Sequence, residues 1–61
     1  MSQREIIFEF HRIGGFVKVV AMDTATQEEV SITGAANAPQ PYLEKLARDK
    51  LLLVLKQKGL V

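Results

Sequence analysis

The chain has 61 residues, 48% of them hydrophobic, with no cysteine and a single histidine. A chain of roughly 60 residues buries only about 60% of the surface its unfolded form exposes, so small scaffolds usually need disulfides, a metal or a partner. The missing cysteines exclude disulfides and thiolate metal sites, His11 alone cannot build a structural zinc site, and self-association is the reinforcement that remains. The formal net charge is +1, but residues 1–40 carry three basic and five acidic side chains while residues 41–61 carry five basic and two acidic ones. The first part is therefore mildly acidic and the second mildly basic.

Met1 to Glu5 contain no apolar stretch of signal-peptide length. The longest apolar run, Leu51 to Leu55, is five residues, against about 20 needed to span a bilayer. The expectation is a cytoplasmic protein with no membrane contact, forming one domain over residues 1–61.

Glu5 to Ile13 reads as a strand, since Ile6, Ile7, Phe8, Phe10 and Ile13 are β-branched or aromatic. Gly14-Gly15 is a two-residue hairpin signal, because glycine tolerates the positive φ of a type I′ or II′ turn. Phe16 to Met22 forms the second strand. The short loop then sets Ile13 opposite Phe16, Arg12 opposite Val17, Phe10 opposite Val19 and Phe8 opposite Ala21. One face carries Phe8, Phe10, Val17, Val19 and Ala21. The other carries Ile7, Ile13, Phe16, Val20 and Met22 among Glu9, His11 and Lys18, which is more apolar than a solvated face should be.

Asp23 to Glu28 is a polar connection, with Asp23 suited to start a turn by bonding its own backbone. Glu29 to Thr33 is a short third strand closed by Gly34, and Ala35 to Gln40 is a linker punctuated by Pro39. Pro41 to Lys58 reads as a helix: proline suits the first turn, Gly59 suits the C-terminal cap, and Lys56 and Lys58 sit at the negative end of the dipole. At 100° per residue, Leu43, Leu46, Ala47, Leu51, Leu53 and Val54 share one side with Lys50. Glu44, Lys45, Arg48, Asp49 and Lys56 lie opposite, and Leu52 and Leu55 are placed on this polar side, where a lone chain would leave them wet. The fold class is α+β: a three-stranded antiparallel β-sheet followed by one C-terminal α-helix, in the order β-β-β-α.

Few residues offer chemistry. His11, Arg12 and Lys18 gather near the hairpin tip and suit a phosphate or a carboxylate, but Glu9 lies diagonally across from them to neutralise the charge. Gly14-Gly15 joins two strands and lacks the further glycines of a phosphate-cradling loop. Asp23, Glu28 and Glu29 match no calcium-loop spacing. Ser2, Ser31 and the threonines are the only hydroxyl nucleophiles, with nothing to orient His11 as a base. The expectation is no enzyme activity, no cofactor and no metal.

Ile6-Ile7-Phe8-Glu9-Phe10 and Ile13-Gly14-Gly15-Phe16-Val17-Lys18-Val19 continue into Asp23, Glu29-Val30-Ser31-Ile32, Gly34 and Asn37-Ala38-Pro39. This series resembles a family of short alphaproteobacterial proteins of unknown function, over nearly the whole chain. The resemblance implies a β-sheet-plus-helix plan compatible with a homodimer, and names no reaction. Thr26-Gln27 stands where relatives tend to have Thr-Gly, which leaves the type of that turn open.

The excess of apolar surface leads to a homodimer with a structural or adaptor role, open to a further protein partner. Its interface is expected at exposed strand edges or at Phe16, Val20 and Met22 on the second sheet face, together with Leu52 and Leu55. The alternative is a nucleic-acid-binding regulator gripping phosphates through Lys45, Arg48 and Lys56, although Glu44 and Asp49 interrupt that stripe.

Overall fold

The computed structural model describes residues 4–61. Its elements are β1 (Ile6–Ile13), β2 (Phe16–Asp23), β3 (Glu29–Ala35) and α1 (Gln40–Gln57). The strands form one antiparallel sheet in the order β1-β2-β3, so β2 is central and both neighbours are edges. Helix and sheet make two layers, the architecture expected from the sequence.

The hairpin register is the expected one, with Ile13 opposite Phe16 and Phe8 opposite Ala21. Gly14 alone of the pair has positive φ (60°), the type II′ pattern, whose twist matches that of the strands it joins. Strand alternation then decides what is buried. Val17, Val19 and Ala21 of β2 face the helix and form the core with Leu43, Ala47, Leu51 and Leu55. Ile6, Phe8 and Phe10 of β1 and Val30 and Ile32 of β3 pack around it, half-buried. Fully burying each leucine or valine contributes about 1.5–3 kcal/mol.

Leu55 departs from the expectation. It is fully buried, and Leu52 is half-buried against the core, while Leu46 and Leu53 stand exposed. The physical reason is the direction of the contact line. Leu43, Ala47, Leu51 and Leu55 are spaced by four, and such a ridge is inclined by about 26° to the helix axis, so the buried stripe moves round the helix along its length. A single fixed buried side, as the sequence suggests, misplaces the last turns. Leu55 is thus a core residue with no exposed surface to offer a partner.

The third strand also runs further than Gly34. A Cβ built on Gly34 would meet Leu43 Cδ2 at 2.6 Å, so this glycine lets the first helical turn settle onto β3, while pairing with Val17 and Phe16 carries the strand to Ala35. The helix begins one residue before Pro41 and ends in a Schellman motif: the Leu60 N–H donates to the Leu55 carbonyl (2.8 Å), the Gly59 N–H to that of Lys56 (3.1 Å), and Gly59 takes φ 72°.

Candidate interaction surfaces

The sheet has one covered face and one open face. On the open face stand Ile7, Glu9, His11 and Ile13 of β1, Phe16, Lys18, Val20 and Met22 of β2, and Glu29, Ser31, Thr33 and Ala35 of β3. Ile13 is 67% exposed and Phe16 63%. They face each other across the hairpin, forming an apolar patch at the tip. Val20 and Met22, screened by their strand neighbours, are half-buried. Phe16, Val20 and Met22 therefore share one uncovered surface, as expected, whereas Leu52 lies on the helix side and Leu55 in the core.

The charged residues near the tip divide between the two faces. His11 lies across from Lys18 on the open face, with its Nε2 3.4 Å from Glu9 Oε1. Arg12 is on the other face and donates to the Gly14 carbonyl at 3.3 Å. The trio does not converge on one anion. The three basic helix residues are also separately engaged or placed. Lys45 bonds Asp49 at 2.7 Å, Arg48 lies 5.8 Å from the centroid of the Phe8 ring, and Lys56 is exposed in the last turn.

The most developed polar network closes the opposite end of the sheet. Asp23 is fully buried. Its Oδ2 accepts from Thr26 N–H (3.2 Å) and from Thr26 Oγ1 (2.8 Å), and the Thr26 hydroxyl oxygen accepts from Glu28 N–H (3.3 Å). Arg4 Nε lies 3.0 Å from Oδ1, an ionic contact, since that oxygen accepts no hydrogen bond among the described residues. Lys58 Nζ bonds Glu28 Oε2 at 2.8 Å, tying the helix end to the turn. Gln27 adopts φ 62°, the left-handed region that favours glycine. Asp23, Glu28 and Glu29 are thus dispersed, and no group of three possible metal ligands occurs among the described residues. The sequence marks Asp23 as a turn residue but not as a buried one; the Asp23-x-x-Thr26 spacing is the signal that points to its burial.

Ser31 is half-buried and contributes its backbone: Lys50 Nζ donates to its carbonyl at 2.8 Å. Ser2 lies outside the described residues. Among those residues there is no pocket, and no helix is long and apolar enough to cross a membrane.

These features define a small two-layer α+β protein whose distinctive surfaces are a sheet face and sheet edges. The family described as a domain of unknown function (DUF6898) matches residues 3–58, and the chain belongs to that family. No curated protein and no solved structure matches the chain.

Proposed function

We propose that this chain acts as a homodimer with a structural or adaptor role, working through protein–protein contacts in the bacterial cytoplasm and without a catalytic site of its own. One observation carries the reading: a single helix covers one face of the sheet and leaves two apolar clusters on the other, Ile13 with Phe16 at the tip and Ile7 with Val20 and Met22 at the far end, with His11 and Lys18 between them. Exposed apolar clusters on an uncovered sheet face are candidates for an association site. Burying surface against a second copy is one of the ways a chain this short can gain stability. Phe16, Val20 and Met22 offer the surface for a further protein. Lys45 and Arg48, turned to internal contacts, give nucleic acid less support.

Molar mass by light scattering across a dilution series tests the homodimer. A two-chain mass that persists into the low micromolar range is expected, and a one-chain mass at high micromolar concentration overturns the proposal.

A further inference from the structure

We infer that the second copy joins at the free edge of β1, antiparallel to itself about a twofold axis at Phe10, to give a continuous six-stranded sheet built from two three-stranded ones. This rests on the homodimer proposed above and specifies its geometry.

The argument begins with where the backbone groups point. In an antiparallel ladder, residues alternate between pairs that exchange both hydrogen bonds and pairs that exchange none. The two-residue turn makes Ile13 and Phe16 a bonded pair, so Ile7, Glu9 and His11 also bond inward to β2. The Thr24 N–H donating to the Glu5 carbonyl at 3.0 Å confirms the phase. Ile6, Phe8, Phe10 and Arg12 therefore direct their N–H and C=O groups to the outer edge.

The same count on β3, fixed by the Asp23 N–H to Glu28 carbonyl bond at 2.8 Å, turns Glu29, Ser31, Thr33 and Ala35 outward. There Lys50 donates to the Ser31 carbonyl and the Ala38 N–H to that of Ala35, and a lysine set on an edge opposes strand addition. On β1 none of the outward groups has a side-chain partner among the described residues. The strand is eight residues long, without proline or bulge, and α1 packs chiefly on β2 and β3. A long regular edge of this type is a template for strand addition.

Complementarity selects the occupant. A twofold antiparallel pairing must set outward groups against outward groups, and two such registers are centred on Ile6–Ile13. With the axis at Glu9, that carboxylate faces the partner's Glu9, and Ile7 faces the partner's His11. With the axis at Phe10, Glu9 faces the partner's His11 and Ile7 faces the partner's Ile13 on the open side. On the helix side Phe10 then meets the partner's Phe10, and Phe8 meets the aliphatic stem of the partner's Arg12. A carboxylate opposite an imidazole that can donate a hydrogen bond to it, and apolar pairs directly across a seam, are favourable, and like charges are not. The axis at Phe10 pairs Ile7 through Ile13 with no like-charge contact and leaves Ile6 opposite the partner's Gly14, and the contact is isologous, as a twofold requires. Both helices fall on the same side of the extended sheet. Both open faces fall on the other, joined through the Ile7 and Ile13 pairs.

Amide hydrogen exchange by NMR, on a sample whose mass is two chains, tests this. The amides of Phe8, Phe10 and Arg12 should be protected to within about tenfold of those of Glu9 and His11. A two-chain mass with those three amides exchanging freely overturns the edge pairing while the homodimer stands. A one-chain mass at high micromolar concentration overturns both. Two variants give a second arm. Arg12→Pro removes one outward donor on β1 and Thr33→Pro one on β3, and neither breaks an internal ladder bond. Arg12→Pro should weaken association at least tenfold and Thr33→Pro should not; equal association of the two overturns the pairing.

Discussion

The two edges of this sheet are built from similar lengths of strand and are treated in opposite ways. Along β3 the helix lies close: Gly34 admits Leu43, and Lys50 reaches the Ser31 carbonyl. Along β1 the helix contributes Arg48 over Phe8, and the backbone groups of Phe8, Phe10 and Arg12 have no side-chain partner among the described residues. Guarding one edge with a lysine and leaving the other regular would favour a closed pair over a growing fibre. Two free edges would let copies add without limit, whereas one free edge stops at two.

The largest effect that tests this asymmetric packing lies in the helix. Leu55→Ala should lose about 3 kcal/mol in urea unfolding at fixed concentration, a large part of the roughly 3–9 kcal/mol expected for a domain this size. Leu53→Ala, at a 56% exposed position, should change stability by no more than about 0.5 kcal/mol. Equal losses would contradict the inclined contact ridge.

Gly34→Ala comes next, at about 1–2 kcal/mol, because its methyl must displace Leu43. Most of that loss should vanish in a Leu43→Ala background, which a double-mutant cycle reads directly. In the turn, Gln27→Gly should gain about 0.5–1 kcal/mol, since relief of the left-handed φ at 62° exceeds the entropy that glycine adds to the unfolded chain. Urea midpoints at matched concentration suffice to measure it.

Lys50→Ala should have the smallest effect on folding, below about 1 kcal/mol, because the lost bond is exposed. Its consequence for assembly is sharper. With both edges uncovered, light scattering at high concentration should show masses above two chains, while the unmodified protein stays at two.

Much of this was legible in the sequence, and the part that was not has a common cause. The Gly14-Gly15 loop fixes the register, and the register fixes both the faces and the outward backbone groups by counting alone. Leu55, Gly34 and Asp23 were placed wrongly or incompletely because each depends on how one element sits on another. The slope of the helix across the sheet buries Leu55, pairing with Val17 carries β3 through Gly34 where Leu43 packs, and Thr26 with Arg4 lets Asp23 sink at the sheet end. The interaction surface was half legible. Phe16, Val20 and Met22 were placed together, whereas the contrast between the edges required seeing what Lys50 touches.

The most direct test of the central claim is an isotope-filtered NOE experiment on a mixture of labelled and unlabelled chains. Within one extended strand, α-protons two residues apart lie about 6.5–7 Å from each other, too far for a strong cross-peak. Pairing about Phe10 places Glu9 and the partner's His11 in a close non-bonded pair, so the account predicts a strong inter-chain α-proton contact between them. Inter-chain contacts confined to Phe16, Val20 and Met22, with none between Glu9 and His11, would contradict it and make the dimer a stack of open faces.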